Sequence, residues 1–566
     1  MVTKNPISVL AELEELKRRS GNGDAKIQRA LSFLSKSGFD AEALIRFHES
    51  LLFLRAYPPS ARVLNQVEKI LKSFGQRVSQ LRESGEELAP LDEVEVSGIA
   101  GTTVTSNFSY EIVRWLVAKY PRQVSIDWNW FEEEDRFGST MPRFLPLLEE
   151  DAMVEANVPY RDWLRAAKGS RNELGWIIKR FESLSISNKA KAELYDSLKL
   201  HVIWKFSVRA SRTGMKLPAR KIFFHWVPLI QRRDVSLIKE LASPPIPIER
   251  LSRAAGEKIL DLARETSAVR YRELHGFTCG DSRRVLKADL GRGTEAFVLG
   301  VPPEHRLPLR AYHAALILKN GVPVAYFEGL SIFERLESGF NLYYTFREGE
   351  TAWLFGRILR LMRQLLGVTV FSIDPYQAGH ENEEGIESGA FWFYRKLGFR
   401  PVRAELMKLA LAEGQKIAAS RGYRTPARTL RKLAAGHMLY EIPQTERHAN
   451  VSEWNQFEVR NVGLAVQQRM ARNFGGDAQT IRADSANFIK RVLDLDTRRW
   501  REPELRIFEN FALVLAMIPD IARWNASEKE LAARIILAKA GGDEALYLRL
   551  MQKHAPMRTA LIGFGS

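Results

Sequence analysis

Cysteine is nearly absent from this chain of 566 residues, in which Cys279 is the only one. A single cysteine excludes an intrachain disulfide framework and any cysteine-rich zinc site. Long apolar runs are also missing. No stretch approaches the roughly twenty apolar residues of a membrane span, and the N-terminus lacks the apolar run of a signal peptide. These absences predict a cytoplasmic protein without a membrane span or a metal centre.

Runs of a single charge sign are scarce as well, because no five basic residues follow one another. Even so, 84 Lys and Arg residues stand against 68 Asp and Glu, which gives a formal net charge of +16. Such an excess favours anionic partners: nucleic acid, an anionic membrane surface or a phosphorylated cofactor. It can also be spread over many solvated helix faces, and no motif in the sequence selects nucleic acid.

The chain is long enough for several domains, since a domain typically takes about 100–200 residues. Changes in composition divide it into five regions. These are a helical region at 1–90, a mixed and mostly helical one at 91–242, a proline-rich linker at 243–250, an α+β domain at 251–443 and a helical region at 444–566.

The most informative stretch, residues 339–402, is predicted to alternate strands and helices. Apolar residues recur every three or four positions in its central helix, which should end at Gly367, and short apolar runs indicate strands. The predicted elements are a strand at 341–346, a helix at 352–366, a strand at 368–373, a helix from Ser388 as N-cap to 397, and a strand at 399–402.

Further strands complete the predicted sheet on both sides of this stretch. A hairpin is indicated by Asn320-Gly321, because that pair favours tight turns between strands. The other elements are strands at 285–289 and 296–300, hairpin strands at 314–318 and 324–330, a helical insertion at 405–433 and a returning strand at 437–442.

The turn before the helix at 352–366 is a candidate anion site. A strand that leads through a tight turn into a helix directs backbone N–H groups and the positive end of the helix dipole at whatever lies above the turn. The later helix also places a hydroxyl group, that of Tyr394, one turn before Gly398-Phe399. An anion and a phenol would therefore lie near one another if the two segments meet.

The segment from Tyr394 to Phe399, Tyr-Arg-Lys-Leu-Gly-Phe, resembles the GNAT superfamily of N-acetyltransferases. In that family an Arg/Gln-x-x-Gly-x-Gly/Ala turn holds the pyrophosphate of acetyl-coenzyme A, and a tyrosine lies near the cofactor sulfur. The resemblance covers about residues 251–443 and implies a GNAT-like mixed sheet with flanking helices. Two positions depart from the family pattern: Glu350 replaces a glycine, and Glu387 replaces a common asparagine.

The resemblance also implies site residues. Tyr394 is the predicted acid for the leaving thiolate. The candidate bases are Glu328, Glu383, Glu384, Glu387 and His380, and Asp374 lies where the acceptor could approach. The predicted cofactor-binding residues are Arg347, Glu348, Gly349, Glu350, Thr351, Ala352 and Trp353. The donor would be acetyl-coenzyme A or another acyl-coenzyme A.

Three functional hypotheses follow from the sequence. The leading one is an acyl-coenzyme A-dependent N-acyltransferase whose amine acceptor the sequence does not identify. The second is a non-catalytic GNAT-like scaffold or regulatory module in which the carboxylate of Glu350 blocks the anion site. The third is a basic protein associated with nucleic acid.

Overall fold

The computed structural model describes residues 5–18, 23–132, 134–145, 159–442 and 453–566. Over these ranges the chain is α+β, as its sequence predicts: a nine-stranded mixed sheet is preceded and followed by mainly helical regions. None of the helices in these ranges is long and apolar enough to span a bilayer.

Five helices form the N-terminal region. Side chains of Asn5, Asp40 and Ser60 accept hydrogen bonds from N–H groups in the first turns of three of them, which fixes where these helices begin. The helices are α1 (Pro6–Leu16), α2 (Asp24–Leu34), α3 (Ala41–Ala56), α4 (Ala61–Lys72) and α5 (Phe74–Glu83).

A small antiparallel sheet, in strand order β1-β3-β2, organises the second region. Its middle strand carries Trp204, which is completely buried. The elements are β1 (Thr103–Ser106), α6 (Tyr110–Lys119), β2 (Val124–Ile126), α7 (Glu134–Thr140), α8 (Tyr160–Lys168), α9 (Glu173–Ser183), α10 (Asn188–Asp196), β3 (Val202–Lys205) and α11 (Leu237–Leu241).

The nine-stranded sheet has the order β11-β12-β10-β9-β8-β7-β6-β5-β4. Every neighbouring pair is antiparallel except β9 and β10, which are parallel. The strands are β4 (Ile248–Arg250), β5 (Leu286–Gly291), β6 (Thr294–Leu299), β7 (Ala311–Lys319), β8 (Val322–Ile332), β9 (Arg335–Leu342), β10 (Val370–Ile373), β11 (Arg400–Pro401) and β12 (Met438–Glu441).

Helices flank this sheet and continue to the C-terminus. Phe340 of β9 packs against Phe355 of α14, with ring centroids 5.3 Å apart, so α14 covers that face. The helices are α12 (Arg253–Ala268), α13 (His275–Thr278), α14 (Thr351–Leu366), α15 (Pro375–Ala378), α16 (Glu383–Glu387), α17 (Ala390–Lys396), α18 (Ala404–Ala419), α19 (Ala427–Leu433), α20 (Val459–Phe474), α21 (Ala478–Val492), α22 (Glu502–Leu515), α23 (Ala526–Ala540), α24 (Glu544–Met551) and α25 (Ala555–Gly565).

The elements with the strongest local signals lie where the sequence predicts them. Asn320 and Gly321 both have positive φ, at 50° and 82°, and join β7 to β8 as the hairpin. Helix α14 ends at Gly367, whose φ of 74° is left-handed. The predicted returning strand is present as β12, which pairs with both β10 and β11.

Two predicted boundaries are wrong. The strand expected at 341–346 is β9, which ends at Leu342, and Tyr344–Phe346 is a single 3-10 turn. The aromatic side chains of the segment that was predicted as a strand pack against other parts of the chain. The Arg270 guanidinium, for example, lies 3.8 Å from the ring centroid of Tyr343. Ser388 does not cap α17, because it ends α16, and Gly389 with φ 68° separates the two helices.

The segment predicted as a linker, residues 243–250, is packed against the rest of the chain. The N–H of Ile246 donates a hydrogen bond to Gln364 Oε1 of α14 at 2.7 Å. Residues Ile248–Arg250 then form β4 and pair with β5. The regions on either side are also joined, since Trp204 and Phe327 belong to one hydrophobic core. The division into domains stays a prediction.

Candidate functional site

The parallel strands β9 and β10 separate after a short stretch of pairing. Their register runs from Arg335 opposite Val370 to Glu337 opposite Ser372, and β9 then continues to Leu342 without β10 beside it. A cavity of about 410 Å³ lies at this end of β9, with Asn341 and Gln377 in its wall. The sheet sets the position of the cavity, because β9 extends beyond the end of β10.

Two predicted segments that are distant in sequence meet in this cavity. Arg347, Glu348, Gly349, Thr351 and Ala352 line it on one side, and Tyr394 lines it on another. Glu350 and Trp353, which were predicted to bind the cofactor, do not line the cavity. Both side chains are buried, Glu350 completely.

The start of α14 presents backbone donors to the cavity. The first hydrogen bond of the helix runs from the N–H of Leu354 to the carbonyl of Glu350 at 2.9 Å. The N–H groups of Thr351, Ala352 and Trp353 precede that bond, and the first N–H groups of a helix have no partner within it. Thr351 and Ala352 line the cavity, so they bring the positive end of the helix dipole to its wall.

The carboxylate of Glu350 contacts three partners and does not line the cavity. Its Oε2 lies 3.1 Å from Lys319 Nζ, its Oε1 lies 2.6 Å from a nitrogen of Arg292, and it accepts the N–H of Ile230 at 3.2 Å. The hypothesis that Glu350 blocks an anion site stays a prediction, although its carboxylate does not line this cavity. Buried Lys319 and the partly buried Arg292 compensate its charge, because an unpaired charge in the interior would be costly.

The shifts in the pKa values of Glu350 and Lys319 follow from the same contacts. Burial alone would raise the pKa of Glu350, but Lys319 and Arg292 overcome it and the net direction is downward. Burial lowers the pKa of Lys319 to about 8, although Glu350 opposes that change. Glu350 is therefore ionised at neutral pH, and its charge is compensated by Lys319 and Arg292.

Three of the charged side chains at the cavity, those of Arg347, Glu348 and Glu384, are already paired. Arg347 forms an ion pair with Glu384, which also lies 3.7 Å from Arg272. Glu348 accepts a hydrogen bond from the Arg18 guanidinium at 2.8 Å. The backbone N–H groups and the guanidinium of Arg232 are donors at this cavity for which the described residues show no ion pair.

Tyr394 supplies a phenol that is almost entirely shielded, with 4% of its surface exposed. Its ring packs edge-on against Phe355 and Phe399, with centroid distances of 5.6 Å and 5.9 Å. Burial raises the pKa of the phenol above its ordinary value. Within the described ranges no group hydrogen-bonds to its hydroxyl, so the protonated phenol remains available to a bound molecule.

Of the predicted bases, Glu384 lines this cavity, where it is paired with Arg347, while Glu383 and His380 do not line it. The remaining three candidates also lie outside its wall. Glu328 accepts a hydrogen bond from the Tyr312 hydroxyl, which in turn accepts the N–H of Gly276 at 2.9 Å, so Glu328 faces α13. Glu387 is exposed at the end of α16. Asp374 accepts the N–H of Tyr376 at 2.8 Å and lines a second, smaller cavity. None of the three contacts the wall that Tyr394 shares with α14.

Sequence reasoning missed two side chains that line the second cavity with Asp374, namely Glu337 and His437. A charged residue in β9 and a histidine directly before β12 were visible signals, but the pairing of the strands was needed to bring them together.

Comparisons with protein-family models, with curated proteins and with solved structures found no match. The site geometry is therefore the basis for inferring function.

Proposed function

We propose that this chain is an acyl-coenzyme A-dependent N-acyltransferase with a GNAT-like domain. One observation carries the proposal: the unpaired N–H groups at the start of α14 and the Tyr394 phenol line the same cavity of about 410 Å³. A helix N-terminus favours a diphosphate, and a buried phenol favours a group that needs a proton. An acyl-coenzyme A carries a diphosphate at one end and a thioester at the other.

The cavity allows an assignment of each part of this donor. The diphosphate lies against the N–H groups of Thr351 and Ala352, where the helix dipole and the N–H groups act together. The pantetheine arm runs along the unpaired edge of β9 at Phe340–Leu342, which forms part of the same wall. The thioester then reaches Tyr394. Glu350 supports this arrangement because its carboxylate, paired with Lys319, does not repel the diphosphate.

The reaction follows from these positions. The amine nitrogen of the acceptor attacks the thioester carbonyl carbon, a C–N bond forms, and the C–S bond breaks. The departing thiolate takes the proton of the Tyr394 hydroxyl, and the amine releases a proton to solvent, from which the phenolate is reprotonated. Burial raises the pKa of Tyr394, so its hydroxyl is protonated at neutral pH and carries a proton that the thiolate can take.

Calorimetric titration of the full chain with acetyl-coenzyme A and with longer acyl-coenzyme A thioesters tests the proposal. One molecule bound per chain is the expected result, together with a rise in thermal stability, because a ligand at a hundred times its Kd stabilises by about 2.7 kcal/mol. S-acetylpantetheine, which has the same thioester but lacks the diphosphate and the nucleotide, is the control and should bind far more weakly. Equal affinity for the two would contradict diphosphate binding at α14.

A further inference from the structure

A second cavity, of about 230 Å³, lies on the same sheet and collects two carboxylates and an imidazole. Glu337 is on β9, Asp374 directly follows β10, and His437 directly precedes β12. These strands are neighbours in the sheet, in the order β9-β10-β12. One potential ligand atom from each of the three side chains lies within 4.8 Å of the others.

The sheet register explains why the three residues meet. Glu337 is opposite Ser372, two residues before Asp374, in the parallel pairing. Ile373 is opposite Met438 in the antiparallel pairing, so Asp374 and His437 are the next positions along that pair of strands. Residues on paired strands are held more rigidly than residues on loops, so this arrangement is preorganised.

Each of the three side chains is also oriented by a neighbour. Asp374 accepts the N–H of Tyr376 at 2.8 Å, and Glu337 lies 3.4 Å from the Arg310 guanidinium. His437 Nε2 lies 3.3 Å from a carboxylate oxygen of Glu458. A carboxylate behind a histidine is the usual support for a histidine that binds a metal ion.

His437 adds an independent observation. Its Nδ1 is shielded from solvent and has no hydrogen-bond partner in the part of the chain that the structure describes. A buried nitrogen without a partner costs free energy. The second cavity is lined by equal numbers of acidic and basic side chains. The acidic ones are Glu337, Asp374 and Glu458, and the basic ones are Arg310, Arg335 and Arg460.

Arg335 is the most buried of these cations, and its donors are engaged elsewhere. Its guanidinium donates to the carbonyl of Phe457 and to the Ser372 hydroxyl, each at 3.1 Å. The charge of Arg335 is therefore held by the surrounding protein, and Arg310, 3.4 Å from Glu337, is the cation that a bound metal ion would compete with. A cation placed among Glu337, Asp374 and His437 would meet two carboxylates at close range.

We propose that Glu337, Asp374 and His437 bind a divalent transition-metal ion of the zinc and cobalt class. Two carboxylate oxygens and an imidazole nitrogen suit these ions, whereas magnesium and calcium prefer oxygen ligands alone. Three protein ligands leave at least one coordination position for water or another small ligand. This site is separate from the cavity of Tyr394 and does not depend on acyl transfer.

Titration with Co²⁺ of the untagged full-length protein, stripped of metal with a chelator, tests the site. We expect one equivalent of Co²⁺ to bind and to give visible absorption bands, and Zn²⁺ to displace it. His437→Ala should lower the affinity at least tenfold. His201→Ala is the matched control, because His201 contacts Trp130 far from these strands, and it should leave the affinity unchanged.

A second variant keeps all three ligands. Glu458→Gln removes only the carboxylate that orients His437, and it should lower the Co²⁺ affinity about 10- to 100-fold at unchanged stoichiometry. Because the Glu458 side chain is 34% exposed, this change leaves the core intact, and thermal unfolding of the metal-free variants checks that. Equal Co²⁺ affinity in His437→Ala and the original chain, or equal competition by Mg²⁺, would overturn the proposal.

Discussion

Lys319 and Glu350 form an ion pair in which both side chains are fully buried, with Nζ and Oε2 3.1 Å apart. Lys319 ends β7, and Glu350 directly precedes α14, so the pair ties the hairpin strand to the start of the helix. Arg292 reinforces it from the turn between β5 and β6. The pair compensates the charge of a carboxylate that directly precedes α14.

Replacing Glu350 with Gln should destabilise the protein by about 3–5 kcal/mol, because Lys319 and Arg292 would be left buried without a carboxylate. Urea unfolding followed by circular dichroism measures this. Glu193→Gln, at an exposed ion pair with Lys189, is the control and should leave the unfolding midpoint unchanged. A midpoint shift as small as that of the control would mean that the buried pair does not stabilise the helix start.

Thr351→Asp separates helix stability from anion binding. An aspartate in the first turn of α14 interacts favourably with the helix dipole, so thermal stability should be maintained. The same carboxylate would face a bound diphosphate, and we expect acyl-coenzyme A affinity to fall at least tenfold. Thr351→Asn has the same shape without the charge and should bind almost normally. Calorimetry distinguishes the two, and equal affinity would place the diphosphate elsewhere.

Tyr394→Phe should lower the rate of acyl transfer about 10²- to 10⁴-fold while leaving acyl-coenzyme A affinity nearly unchanged, because the hydroxyl acts on the leaving thiolate. Release of free thiol in the presence of a panel of amines measures the rate. Tyr440→Phe is the matched control, since Tyr440 packs on Phe399 as Tyr394 does but does not line the cavity. A rate equal to that of the control would remove Tyr394 from the mechanism.

Acid should destabilise the protein between about pH 6.5 and pH 4 because of His48. Burial lowers the pKa of His48 to about 4, although its contact with Glu49 opposes this. In that window the unfolded imidazole is protonated and the folded one is neutral. The unfolded state therefore binds more protons, and stability falls with falling pH by at most about 1.4 kcal/mol per unit.

His48→Gln removes the titrating group and should reduce the slope of unfolding free energy against pH in this window. Gln keeps a donor for the hydrogen bonds that His48 makes with Glu49 and Thr213. His225, whose pKa burial lowers to about 3, contributes a slope of the same sign and should leave part of the dependence in place. An unchanged slope in His48→Gln would contradict the neutral buried imidazole.

The sequence by itself determined the elements whose signals are local. The apolar spacing of α14, the left-handed Gly367 that ends it and the Asn320-Gly321 turn depend on residues only a few positions apart. Short-range periodicity and backbone preference are sufficient for such elements. The same local signals placed Tyr394 and the residues around Thr351 as candidates for one site, and the cavity contains both.

Only the tertiary structure decided how charged side chains are directed. The position of Glu350 depends on Lys319 and Arg292, which lie in other elements, and no local preference specifies those partners. The meeting of Asp374 with His437 likewise depends on pairing between strands, because these two residues are 63 positions apart in the numbering (437 minus 374). Long-range contacts are chosen by the free energy of the whole packed core and by the need to pair buried charges, which no short window of sequence contains.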